Sequence, residues 1–186
     1  PLVREVFPKL RPSPDPGQPW TSDQITIERT IVSPNASVRA FGALAKIQGD
    51  RLDFVVGDDC LDHENTRTEH NRDLFWRWFV MVLRRRMTRA GRLVLLNNAW
   101  DPDDAHHRLA RSKSPHVVAR MFAILGDDGK TIWPSRWPQE RVARDSVDMT
   151  PAQHAQVFRC RPRSDEDRRF KESWVQRALE RGARSL

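Results

Sequence analysis

Leu52-Asp53-Phe54-Val55-Val56-Gly57-Asp58-Asp59 decides how the rest of this chain is read. β-branched and aromatic residues suit a pleated backbone. A run of them closed by two adjacent carboxylates predicts a buried strand that delivers acids to its C-terminal edge. Open α/β sheets bind ligands at that edge. Asp58 and Asp59 are therefore the first candidate site residues, placed where a metal ion can be held.

Working downstream, Thr66-Arg67-Thr68-Glu69 has capping-box spacing and predicts a helix start. Leu74, Phe75, Trp78, Phe79, Met81 and Val82 give that helix an apolar face up to about Arg86. The basic cluster Arg84-Arg85-Arg86 suits the negative end of the helix dipole and is also able to meet phosphate. Gly91 is expected to end the connection, and Arg92 to Asn98 predicts a second short strand. Strand, helix, strand in this order makes a right-handed βαβ unit with both strand ends on one edge. Asp58, Asp59, Asn97 and Asn98 should then converge. Asp101-Pro102-Asp103-Asp104 reads as the next helix start, with Asp101 capping, Pro102 at the first helical position and acids in the first turn.

The flanks are less regular. Pro8, Pro12, Pro14, Pro16 and Pro19 exclude a helix or central strand, so residues 1–23 are expected to be an arm or loop. Residues 24–32 and 37–47 predict two strands, the second broken at Gly42, and residues 117–125 another. Gly126-Asp127-Asp128-Gly129-Lys130-Thr131 looks like a phosphate-binding loop, but that loop needs four residues between its glycines and a helix after it. Two residues stand there, and Pro134 follows, so a tight turn is expected. Thr150-Pro151-Ala152-Gln153 opens another helix. Residues 165–186 read as a charged helical tail, with Phe170, Trp174 and Ala178 at helical spacing. Domain organisation is thus an arm, a main domain over 24–164, and the tail.

The chain has 186 residues, enough for one domain or a large part of one, but the hydrophobic fraction of 38% makes the core modest. Mean hydropathy is −0.69, and no apolar run approaches a membrane span. A soluble, cytoplasmic protein is expected. Two cysteines without Cys-x-x-Cys spacing indicate neither a disulfide framework nor a zinc site. The histidines His63, His70, His106 and His107 complete no recognised ligand set. A formal charge of +7 favours a polyanionic partner. Only five of the 32 basic residues are Lys, an arginine excess that GC-rich coding also produces.

Taken together, Gly49-Asp50-Arg51-Leu52-Asp53 leading into Val-Val-Gly-Asp-Asp, then a helix, then Leu93-Val94-Leu95-Leu96-Asn97-Asn98-Ala99-Trp100-Asp101-Pro102-Asp103-Asp104, resembles the large subunit of tailed-phage terminases. Ile132-Trp133-Pro134-Ser135-Arg136-Trp137-Pro138 is similar to a Trp-Pro segment of that family. Phe158-Arg159-Cys160-Arg161-Pro162 is similar to the segment that closes its ATPase domain. The resemblance covers roughly residues 7–174.

This resemblance implies an α/β fold, a mostly parallel sheet with flanking helices, forming the C-terminal part of an additional-strand P-loop NTPase domain. It implies a viral DNA-packaging motor that uses ATP and Mg²⁺, in an infected bacterial host or from a prophage. The implied partners are double-stranded DNA, the portal, the small terminase subunit and sister copies in a ring, with no membrane. Asp58 would be the Walker B aspartate and metal ligand, Asp59 the carboxylate that activates water, and Asn98 the coupling residue, with Asn97 beside it. Trp100, Asp103, Asp104 and Arg108 match the stretch that follows, and Arg86 a basic position before it. The family commonly has Thr or Ser at position 98 and Arg at position 99, where Asn98 and Ala99 stand.

The resemblance also places the P-loop ahead of Pro1 and the nuclease acids beyond Leu186. Positioning dominates phosphoryl-transfer catalysis, so the chain alone is expected to hydrolyse ATP negligibly. The rivals are a helicase-like DNA translocase fragment, in which Asp58 and Asp59 play similar roles, and a non-catalytic remnant that binds DNA or a motor partner.

Overall fold

The computed structural model describes residues 10–31, 33–47 and 49–163, together with Trp174, Ala178, Arg181 and Gly182 of the tail. Those four tail positions are helical and exposed. The first nine residues and the remainder of the expected tail helix, Phe170 included, lie outside the described residues. The architecture is mixed α/β and forms two compact units, residues 1–55 with 77–93 and residues 56–76 with 94–186.

In the first unit, β1 (Gln24–Ile25) pairs antiparallel with β2 (Val38–Arg39). Single bridges join Pro12 to Ile27 and Trp20 to Ile25. Proline has no amide to offer, which limits such pairing to isolated bridges. Both strands are far shorter than their sequence suggests. Beyond Ile25, the Ile27 amide donates to Ser37 Oγ, and the Arg29 guanidinium donates to the carbonyls of Ser33 and Asn35 at 2.8 and 2.7 Å. That curls the chain into a loop. The second strand ends at Arg39, and Leu44, in the left-handed region at φ 65°, keeps the chain beyond it from running extended to Ile47. The buried apolar residues of this unit are Ile47, Val55, Phe79 and Leu83, and the Trp78 indole donates to Ala45 O at 2.8 Å.

The acidic strand is β3 (Leu52–Asp58), and it pairs with β4 (Met87–Leu96). Leu52 lies beside Gly91 and Gly57 beside Leu95, so the two strands run parallel. Gly91 corrects the expectation that it ends a connection. It sits inside β4, where an added Cβ would lie 3.0 Å from both Leu52 O and Thr88 O. Glycine here permits close backbone approach rather than a turn. A second correction concerns burial. Only Val55 of β3 is buried, while Phe54 and Val56 are 61% and 54% exposed. Parallel strands are ordinarily covered on both faces. Among the described residues no third strand joins this pair.

In the second unit, α1 (His63–Thr66) starts at a capping box made by Asp62 and Asn65. α2 (Glu69–Trp78) follows, capped by Thr68, whose Oγ accepts from the Asn71 amide at 3.2 Å. Thr66, the expected cap, instead donates its hydroxyl to Asp62 O. The helix continues through a π-helical stretch, Phe79–Leu83, into α3 (Arg84–Arg86), passing into the first unit after Trp76. Phe75, Phe79 and Leu83 are its buried residues, whereas Leu74 and Met81, expected on the apolar face, are exposed.

Further along come α4 (Ala105–Arg111), α5 (Gln139–Asp145) and α6 (Pro151–Arg159). α6 opens on the Thr150/Gln153 capping box with Pro151 in its first turn, as its sequence predicts. Leu125, Val142 and Phe158 make a local core, sealed by Ile124, Trp137 and Met149. Residues 117–125 do not form the expected strand. The Ile124 and Leu125 amides both donate to Phe158 O, at 2.9 and 2.8 Å, so a helix-terminal carbonyl takes the place of a ladder. Residues 126–131 form the expected tight turn: Leu125 bridges Thr131, and Gly129 takes φ 78°. Among the described residues no helix is long and apolar enough to cross a membrane.

Candidate functional site

The end of β3 and the residues that follow β4 come together within the second unit, through backbone and Asn97 side-chain hydrogen bonds. β3 ends at Asp58, and Asp59 then adopts φ 50°, a left-handed conformation uncommon outside glycine but tolerated by Asp. The Asp59 amide donates to Leu96 O at 2.9 Å, which fixes the end of one strand to the end of the other. The chain then turns sharply. Two residues later the Leu61 amide donates to Asn97 Oδ1 at 2.8 Å, and Asn97 Nδ2 returns a bond to Leu61 O at 2.9 Å. Asn97 therefore imitates a strand partner with its side chain.

This clasp divides the work between the two asparagines. Asn97 Nδ2 also donates to Asn98 O at 3.3 Å, so the Asn97 amide is engaged at both ends. Asn98 is exposed, and so are Asp58 and Asp59. Their carboxylates take no hydrogen bond or ion pair among the described residues. Cys60 lies just behind them. Burial pushes its thiol up, and the Asp59 and Asp58 charges add to that, so it is a poor nucleophile. Gly57 makes room for the arrangement: a Cβ there would stand 2.6 Å from Leu95 Cδ2 and 3.4 Å from Cys60 Sγ.

A second cluster surrounds the stretch after the asparagines. The helix expected to begin with Asp101 as its cap begins with Asp104 instead. The Asp104 side chain is 0% exposed and accepts from the amides of Trp100, Asp101 and His107, and from His107 Nδ1 at 2.8 Å. Burial pushes this carboxyl up, but the His107 bonds and charge outweigh it and hold it below the ordinary carboxylate range. Asp101 is left to receive the Asp103 amide and to pair with Arg72 at 3.3 Å.

Arg108 binds both Asp103 and Asp73, and its guanidinium lies 5.8 Å from the Trp76 ring centroid. The Arg108 hydrogen bond lowers the Asp103 carboxyl, and Arg111 completes the group at 2.7 Å. Sequence reasoning singled out Trp100, Asp103, Asp104 and Arg108 without showing what they do locally. In the fold they build the turn that follows β4 and tie it to α2. Asp73 and Arg72, which complete the knot, carried no motif and were missed. Arg86 lies in the first unit, apart from this cluster in the chain, at the end of α3.

Mg²⁺ characteristically takes one or two carboxylates, with waters and substrate phosphates filling the remaining positions. Two free, adjacent carboxylates at a strand end fit that donor set. Among the described residues no group of three or more His, Cys, Asp and Glu side chains gathers as a metal cage. Neither the models of known protein families nor the curated proteins match this chain.

Proposed function

We propose that this chain contributes the metal-binding and water-activating half of an ATPase site in a DNA-packaging motor of the terminase type, within a partial P-loop NTPase fold. The observation that carries this reading is the end of β3, beside the end of β4, where the exposed Asp58 and Asp59 carboxylates have no partner among the described residues. Asp58, the last residue of β3, would hold Mg²⁺, which would supply charge neutralisation for the substrate phosphates. Asp59 orients or deprotonates the attacking water. Its left-handed backbone turns the chain immediately after the strand, so the two neighbouring carboxylates need not alternate across the sheet. Asn98 hydrogen-bonds the transferred phosphate or its water, and the Asn97 clasp keeps its register with β3. The uncovered Val56, Val94 and Leu96 are consistent with a fold that is completed by further structure.

No Gly-x-x-x-x-Gly-Lys-Ser/Thr occurs in the 186 residues, so the amides and lysine that grip phosphate have to come from elsewhere. The test is DNA-stimulated ATP hydrolysis by the protein as it occurs in its host, together with its partners. Asp59→Asn is expected to reduce turnover about 100-fold or more, and Asp58→Asn to raise the Mg²⁺ requirement. Turnover indifferent to both substitutions defeats the reading. A second reading, DNA binding without catalysis, is favoured by the +7 charge and the lack of a P-loop sequence. Hydrolysis that depends on Asp59 would remove it.

A further inference from the structure

The N-terminal ends of β3 and β4, both in the first unit, are basic. A cleft of about 340 Å³ opens there, lined by Gly49, Asp50, Arg51, Arg85, Arg86, Met87, Thr88 and Arg89, all within the first unit. Four arginines line one cavity. None of the four pairs with a carboxylate among the described residues. The nearby acids are already used: Asp50 is bound by Arg39, and Asp53 Oδ1 accepts from Thr88 Oγ1 at 2.8 Å. Like charges gathered without counter-charge repel one another, and an anionic ligand relieves that repulsion. Compensation of the helix dipole accounts for α3's own Arg84, Arg85 and Arg86, but not for Arg51, just ahead of β3, or Arg89 in β4, which line the same cavity.

We propose that this cleft binds phosphate groups of a nucleic-acid backbone. The lining chooses among phosphate ligands. A nucleotide site ordinarily offers an apolar or aromatic wall for base and sugar, and here Met87 is the one apolar side chain. Guanidinium forks match phosphate oxygens bidentately. Gly49, which has φ 77°, leaves open space where a side chain would otherwise stand. Arg51, Arg85 and Arg89 are exposed and Arg86 is half-buried, a gradation suited to a strand of phosphates passing over the cleft. This inference shares with the packaging reading only a nucleic-acid partner. It requires neither ATP nor Asp58.

The experiment titrates the whole chain into a fluorescent DNA duplex across a salt series, without nucleotide. Each phosphate neutralised contributes about 0.9 to the slope of log K against log salt. Arg85→Gln with Arg89→Gln is expected to weaken binding at least about 10-fold at low salt and to flatten the slope by about two. The control pair Arg67→Gln with Arg120→Gln removes the same charge from exposed positions outside the cleft. It should change the slope by less than half as much. Arg85→Lys with Arg89→Lys keeps the charge and should keep the slope, which guards against a folding defect in the glutamine pair. Equal losses in cleft and control variants, or no DNA binding by the parent chain, overturn the proposal. Competition by millimolar inorganic phosphate or ATP, with a slope unchanged in the cleft variant, also overturns it and assigns the cleft to a free phosphate ligand.

Discussion

Arg108 reaches from α4 back to α2, where its Nη2 lies 2.7 Å from Asp73 Oδ1 while the same nitrogen also binds Asp103. One guanidinium thus holds two segments that sit 30 residues or more apart in the chain. Its side chain is 15% exposed, while its partners Asp73 and Asp103 are 53% and 45% exposed, so the guanidinium is fixed at the edge of solvent and not deep in the fold. Arg108→Ala is expected to destabilise the protein by about 1 kcal/mol, since solvent screens the two half-exposed carboxylates. Arg108→Lys keeps the charge but cannot fork to two carboxylates, and should recover less than half of the loss. Urea denaturation of the three proteins measures both values.

Asp104 and His106 make the fold sensitive to acid in two stages. Burial lowers the His106 imidazole, so the unfolded chain binds the proton more readily than the folded one. Stability is then full above about pH 6.5, the free imidazole value, and falls as pH drops through the lowered folded value. Asp104, held below its ordinary range, acts in the same direction. Its contribution is complete above about pH 3.9 and is lost as pH falls through the depressed folded value. Melting temperature should decline gently below about pH 6.5 and steeply below about pH 4. Neither ring nitrogen of His106 makes a well-formed hydrogen bond among the described residues, although the Leu95 backbone and the Asp104 charge favour the protonated ring and offset part of the effect of burial. His106→Phe should abolish the first decline, since it removes the titrating group. Asp104→Asn strands donors around a buried site and should cost about 2–4 kcal/mol at pH 7.

What could be read from the sequence follows from the range of the forces involved. β3, the turn at residues 126–131 and the capping box of α6 are set by neighbours in the chain, and they stand where local pattern puts them. The convergence of Asp59 with the end of β4 was also legible, because a strand-helix-strand order permits little else. Other features depend on residues distant in sequence. Residues 117–125 have strand composition, but Phe158 O offers their amides a better partner. Asp101 has every mark of a cap, yet Asp104 outcompetes it by collecting two further amides and His107. The engagement of Asn97 by Leu61 could not be read at all, since nothing in the residue pair Asn97-Asn98 says which one the fold consumes.

Gly57 is the tightest point of the strand edge. A methyl group added there would overlap Leu95 Cδ2 at 2.6 Å, and that carbon can escape only by moving the Leu95 side chain. Gly57→Ala is expected to cost about 1–3 kcal/mol through overpacking. Gly57→Val should cost more, since its branches meet Cys60 as well. Replacing Leu95 by Ala in the Gly57→Ala background should restore part of the loss, a coupling that a double-mutant cycle reads directly.

Asp59 separates backbone from chemistry. Its φ of 50° is a conformation that glycine adopts freely and a β-branched residue resists. Asp59→Gly should leave the folding free energy within about 0.5 kcal/mol of the parent, gaining relief of strain and losing some unfolded-state restriction. Asp59→Val should destabilise by about 1–2 kcal/mol, because no exposed side chain at that position compensates the strained backbone. The same two substitutions remove the same carboxylate. If Asp59 serves water activation, both abolish DNA-stimulated hydrolysis in the host protein, although only one disturbs the fold. Thermal denaturation and turnover measured on the same preparations distinguish the cases. Activity that survives in Asp59→Gly and is lost only in Asp59→Val would make Asp59 a turn residue and transfer the chemistry to another group.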